Sequence, residues 1–127
     1  MIRLKRVYEK PGPDDGFRFL VERLWPRGLT RAEVHMDSWQ KDAGPSDHLR
    51  KWFSHDPARW TDFQHKYFAE LKERPEAWQP ILDAARRADV TLLYSSHDTE
   101  NNNAIALKRF LEAKLAHKSA TVAPPDL

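Results

Sequence analysis

Residues 22–28 read ERLWPRG, with the two guanidinium groups of Arg23 and Arg27 either side of a turn. A guanidinium fork matches a phosphate or a carboxylate in bidentate fashion, so this stretch carries the donors of an oxyanion site. The competing expectation is structural, with Arg23 and Arg27 paired to internal acids such as Asp14, Asp15, Asp42 or Asp47. Arg27, on an exposed turn, is the better ligand contact, and Arg23, on a strand, the better internal partner. Lys41, Ser46 and Arg50 can add donors to the same pocket, although Ser46 equally suits the cap of a helix.

His55-Asp56 and His97-Asp98 are adjacent pairs, and among them His55 and Asp98 are the candidates for acid–base work. Sequence neighbours rarely point into one site and no H-E-x-x-H spacing is present, so no metal site is expected. Beyond Tyr94, Asp98 with Asn102 and Asn103 can hydrogen-bond a polar ligand or cap the last helix. Among the five tryptophans, Trp25 lies beside both arginines and is the best placed to stack on a ligand, with Trp39 the next. Trp52 and Trp60 sit on apolar helical faces and read as core.

The chain that must position these groups has 127 residues, 40% of them hydrophobic, which suits one α/β domain over residues 1–117 followed by a loose tail, 118–127. It has no cysteine, which excludes thiol nucleophiles, disulfides and cysteine-ligated zinc, and no cofactor is called for. No apolar run approaches the ~20 residues of a membrane span, and MIRLKRVYEK lacks the features of a secretory signal, so no membrane partner and a cytoplasmic location are expected. Twenty-one basic against 19 acidic residues give a net charge of only +2, too balanced for a general polyanion grip.

Periodicity places a first strand over residues 2–8 and a loop over KPGPDDG. A buried second strand is predicted over FRFLVERLW, with Phe17, Phe19, Val21 and Arg23 on one face. Trp25-Pro26-Arg27-Gly28 predicts a type I turn closed by Gly28. Thr30 and Glu33 form a capping box, and HMDSWQKD supplies a third extended segment. Ser46 caps a short helix carrying Leu49, Trp52 and Phe53, and Asp56-Pro57 opens another in which Trp60, Phe63, Tyr67 and Leu71 form one stripe. A further helix is predicted to start near Pro80 and end near Ala88. DVTLLYSS is the clearest strand, followed by a polar loop and a helix with Ala104, Leu107, Leu111 and Leu115 on one face. Strands at both ends and helices between them predict an α/β sheet with parallel pairing, whose ligands bind beyond the strand carboxyl ends. No P-loop or dinucleotide glycine pattern accompanies them.

DGFRFLVERLWPRGL, WQKDAGPSDHLRKWFSHDPARWTDF and TLLYSSHDTENNNAIALKRFL, in this order, resemble the YeaO-like proteins of domain-of-unknown-function family 488. The resemblance spans roughly residues 2–115. It implies a Rossmann-like α/β domain, a small and mostly parallel sheet flanked by helices, and no particular reaction. A more distant branch carries Cys-His-Arg in its last loop, where this chain has Asn101-Asn102-Asn103, so no thiol mechanism carries over. The first expectation for function is a pocket for an anionic small molecule built from Arg23, Trp25, Arg27, Lys41, Ser46, Arg50, Tyr94, Asp98 and Asn102, with or without catalysis. A nucleic-acid-binding module using the same arginines and a protein-interaction domain are the alternatives, and the oligomeric state is left open.

Overall fold

The computed structural model describes the backbone of residues 1–122 and the side chains of residues 1–116. Four strands, β1 (Ile2–Arg6), β2 (Phe17–Leu20), β3 (Ser38–Trp39) and β4 (Val90–Tyr94), form one sheet in the order β1-β4-β2-β3. Every pairing is parallel, and the register sets Ile2 and Phe17 on either side of Val90, and Leu20 beside Trp39. The fold is thus an α/β Rossmann-like domain with all four strand carboxyl ends at one edge.

Because strand side chains alternate, β4 feeds two cores. Val90, Leu92 and Tyr94 join Ile2, Phe19 and Val21 in the larger one, whereas Leu93 joins Val7, Leu20 and Val34 in the smaller. The larger is completed by α2 (Asp47–Phe53), α3 (Trp60–Glu73), α4 (Pro75–Arg87) and α5 (Asn103–Val122), and the smaller is covered by α1 (Arg31–Val34) and its flanks. The predicted stripe of α3 is buried at Phe63, Tyr67 and Leu71, and that of α5 at Ala104, Leu107 and Leu111.

Local chemistry sets most boundaries as the residues predict. Thr30 and Glu33 close both halves of their capping box, Ser46 Oγ accepts from the Leu49 amide, and Asp56 caps the 3-10 turn Pro57–Arg59 that leads into α3. Gly16 has φ of +63°, and a Cβ there would lie 1.9 Å from the Asp89 carbonyl oxygen, so only glycine lets β2 start beside β4.

Four expectations need correction. The second strand stops at Leu20 rather than running to Trp25, because after Val21 the chain leaves the ladder and a side chain, Glu22, pairs with the end of β4. The turn falls on Arg27-Gly28, with Gly28 at φ +80° in its interior instead of at its close, as a type II geometry requires. The third extended segment shrinks to Ser38–Trp39, in register with Phe19 and Leu20, with the amides of the flanking Asp37 and Gln40 donating to the Arg18 and Leu20 carbonyls.

The fourth concerns α4, which starts at Pro75 and carries Pro80 inside it. Ala77 and Trp78 are buried, and the Trp78 indole N–H donates to the Leu71 carbonyl at 2.7 Å. Tertiary packing therefore holds the turn that Pro80 weakens by giving the Glu76 carbonyl no amide partner. The tail expected over 118–127 begins as backbone of α5, and residues 123–127 lie outside the described residues.

Candidate functional site

Beyond the carboxyl ends of β1, β4 and β2 lies a cleft of about 760 Å3. The exit of β2 supplies Glu22 to Arg27, the exit of β1 supplies Tyr8, the end of α2 supplies Arg50, Phe53 and His55, and the loop before α5 supplies Ser95 to Asp98 and Asn101 to Asn103. The two strand ends singled out in the sequence thus meet in one place.

Glu22 lies where the exits of β2 and β4 are tied together. Its carboxylate accepts from the Ser95 amide at 3.0 Å and the Ser95 hydroxyl at 2.7 Å. Its backbone carbonyl accepts from the Trp39 indole at 2.6 Å. Burial pushes the carboxyl above the ordinary glutamate value, more than the Ser95 hydrogen bonds and the nearby charges of His55 and Arg50 pull it down. A carboxyl so placed in a cleft marks a site worth testing. Glu22 is the residue that sequence reasoning passed over, and its signal was a lone acid inside the apolar run FLVERLW.

The arginines divide as their positions suggest. Arg23 spends its fork inside the protein, donating from Nε to the Pro45 carbonyl at 2.8 Å and from Nη1 to Asp42 at 3.2 Å. Arg27 is exposed, and its side chain has no hydrogen bond or ion pair among the described residues, while its carbonyl accepts from the Tyr8 hydroxyl at 3.0 Å. Arg50 reaches Asp47 through Nη2 at 3.2 Å, and its Nε is buried without a partner.

Trp25 lines the cleft, but its indole N–H is committed to the Leu29 carbonyl at 2.6 Å and its ring meets that of Trp39 edge-on at 5.2 Å. Arg31 lies 5.6 Å from the same ring. His55 follows Ser54 in the left-handed region, at φ of 56° and 47°, which brings its ring to 6.3 Å from Phe53 at the cleft. Two successive non-glycine residues there carry a backbone cost of about 1–2 kcal/mol each.

The β4–α5 loop is held by its own polar side chains. Asp98 accepts from the amides of Glu100 and Asn101, both at 2.9 Å, and these bonds hold its carboxyl below the usual range. Asn102, buried, caps α5 by accepting from the Ile105 amide at 3.0 Å and donates to the Asp98 carbonyl at 2.9 Å. Arg6 pins the loop from β1, donating to the Ser96 carbonyl at 2.9 Å and the Ser95 carbonyl at 3.2 Å.

Of the residues named from sequence, Arg23, Trp25, Arg27, Arg50, His55, Asp98 and Asn102 line the cleft, and Lys41, Ser46 and Tyr94 do not. Lys41 sits over the Trp39 ring at 4.3 Å. Ser46 caps α2 and donates both its amide and its hydroxyl to Glu70. Tyr94 is buried in the larger core. Among the described residues, no three acids or histidines stand together as a metal ion requires, and no helix is long and apolar enough to cross a membrane.

The three blocks that carry the resemblance each supply residues of the cleft, and a family model described as "Inactive DUF488-N3 subclade" matches residues 1–126. The chain belongs to the DUF488 family. Uncharacterized protein YeaO of Escherichia coli K12 is 38% identical to this DUF488 chain over 112 residues, 88% of this chain and 97% of that protein. Uncharacterized protein Rv3073c of Mycobacterium tuberculosis H37Rv is 34% identical over 113 residues, 89% of this chain and 95% of the relative. No solved structure matches. In this DUF488 chain the triplet Asn101-Asn102-Asn103 braces the loop: Asn101 bonds Asp98, Asn102 caps α5, and Asn103 donates to the Val21 carbonyl at 2.8 Å.

Proposed function

We propose that this DUF488 protein binds an anionic small molecule in the cleft and does so without chemical turnover. The observation that carries the reading is the unspent hydrogen-bonding capacity of two guanidinium groups at one cleft, the free side chain of Arg27 and the buried, unpartnered Nε of Arg50. A phosphate or carboxylate in the cleft is the partner that the Arg27 fork lacks. The amino end of α5, a helix of 20 residues, adds its positive dipole end beside Asn102 and Asn103.

Three features support binding without catalysis. The oxygens of Glu22 and Asp98 are engaged by Ser95, Glu100 and Asn101, the chain has no cysteine, and the matching family model is described as inactive. The test is a thermal-shift screen of phosphates and carboxylates against the wild type and Arg27→Ala. The variant is expected to keep its unliganded melting temperature, because Arg27 is exposed, and to bind at least about tenfold more weakly, the worth of one charged hydrogen bond. Failure of every compound to raise the wild-type melting temperature, or an equal rise in Arg27→Ala, refutes the reading.

A further inference from the structure

Four large apolar side chains are exposed among the described residues: Met1, Tyr8, Phe17 and Leu24. Met1 and Phe17 belong to the amino ends of the strands, where the Met1 carbonyl accepts from the Val90 amide and Phe17 is paired with Val90. Tyr8 and Leu24, 45% and 56% exposed, both line the cleft at the carboxyl ends. Neither is a loose surface residue. The Tyr8 hydroxyl is fixed on the Arg27 carbonyl and Arg6 lies 5.0 Å from its ring, while Leu24 precedes Trp25, whose indole is held by Leu29 and Trp39.

We propose that the anion taken by this cleft carries a flat apolar body beside its charged head, as an aryl carboxylate or aryl phosphate does. The proposal rests on the reading that the cleft binds an anion, and it assigns the rest of the ligand. An inorganic oxyanion takes its hydrogen bonds from guanidinium donors such as Arg27 and gains nothing from a leucine and a tyrosine left in water. An aryl group covers them, with a ring contact to Tyr8 and hydrophobic contact with Leu24 and Pro26. The size agrees: about 760 Å3 lies within the roughly 300–1,000 Å3 typical of sites for small organic ligands and far exceeds a phosphate ion. Apolar walls with a few placed polar groups that orient the ligand are the usual make-up of such sites.

Calorimetric titration of the full chain with matched probes tests this: phenylacetate against acetate, phenyl phosphate against inorganic phosphate, and benzyl alcohol as the uncharged control. In wild type the aryl member of each pair is expected to bind at least about tenfold more tightly than its simple counterpart. Leu24→Ser, at an exposed position, is expected to reduce that preference to about threefold or less while leaving acetate and phosphate unchanged. Equal binding of aryl and simple anions overturns the aryl body and leaves the anion reading standing, as does a preference that survives Leu24→Ser undiminished. Benzyl alcohol binding as tightly as phenylacetate, or no probe binding at millimolar concentration, overturns both.

Discussion

Replacing Glu22 separates its role as a brace from its role as a buried charge. Glu22→Ala leaves the Ser95 amide and hydroxyl without the acceptors they meet at 3.0 and 2.7 Å. An orphaned buried donor costs about 1–3 kcal/mol, and water entering the cleft recovers part of it, so a loss of about 2 kcal/mol is expected. Glu22→Gln keeps the geometry, since the amide oxygen accepts from the Ser95 amide and the amide nitrogen donates to the hydroxyl. It should remain within about 1 kcal/mol of wild type near neutral pH. The two proteins then differ in pH dependence. Burial raises the Glu22 carboxyl in the native state above the 4.5 ordinary for the residue, so between that value and the raised one the native state binds more protons than the unfolded state. Wild-type stability therefore falls as pH rises through this window and is unaffected by Glu22 below it. Asp98, held low by its amide bonds, gives the opposite slope at lower pH in both proteins and cancels from their difference. Urea unfolding followed by tryptophan fluorescence, from about pH 4 to about pH 8, should show wild type losing stability relative to Glu22→Gln as pH rises. Parallel curves, or a Glu22→Ala as stable as wild type, refute the reasoning.

Arg18, buried, donates to the carbonyls of His35 at 2.6 Å and Val34 at 3.0 Å and pairs with buried Asp15. Arg18→Leu should cost about 3–5 kcal/mol in urea unfolding, and a loss under about 1 kcal/mol would show the network to be dispensable. Pro80→Ala should restore an amide donor to the Glu76 carbonyl and raise the melting temperature by a few degrees, about 1 kcal/mol after the more flexible unfolded chain is counted; a lower melting temperature contradicts the account of α4. Ser54→Gly, at φ 47°, should stabilise by about 0.5 kcal/mol by chemical denaturation, and a loss beyond about 1 kcal/mol would mean the hydroxyl matters more than the backbone.

What the sequence reveals of this protein is what neighbouring residues decide. Caps at Thr30, Ser46 and Asp56, the stripes of α3 and α5, and the apolar run of β4 are local chemistry, and each stands where the residues put it. What it hides depends on distant partners. The alternation of β2 continues through Leu24, but the strand ends early because Glu22 meets Ser95 and Val21 meets Asn103, more than 70 residues away. Pro80 reads as a helix start until Trp78 is seen packed in front of it. The same separation governs the cleft. The strand position of Arg23 and the turn position of Arg27 already separate the two, but the choice of Asp42 among the acids follows from where Pro45 and the 3-10 turn Lys41–Ala43 lie.

The order β1-β4-β2-β3 also governs when the protein can fold. Among the described residues β1 pairs only with β4, so it has no neighbour until residues 90–94 have been synthesised. Until then β1 and β2 are exposed edges, and a parallel sheet closed across such a gap in the chain forms slowly. Arg3, Lys5 and Arg6 in β1 put positive charge on the strand that waits longest. A nascent chain stalled before Asp89 would lack β4, the strand that joins β1 to the β2–β3 pair, and its β1 would be guarded from stray pairing chiefly by those three side chains.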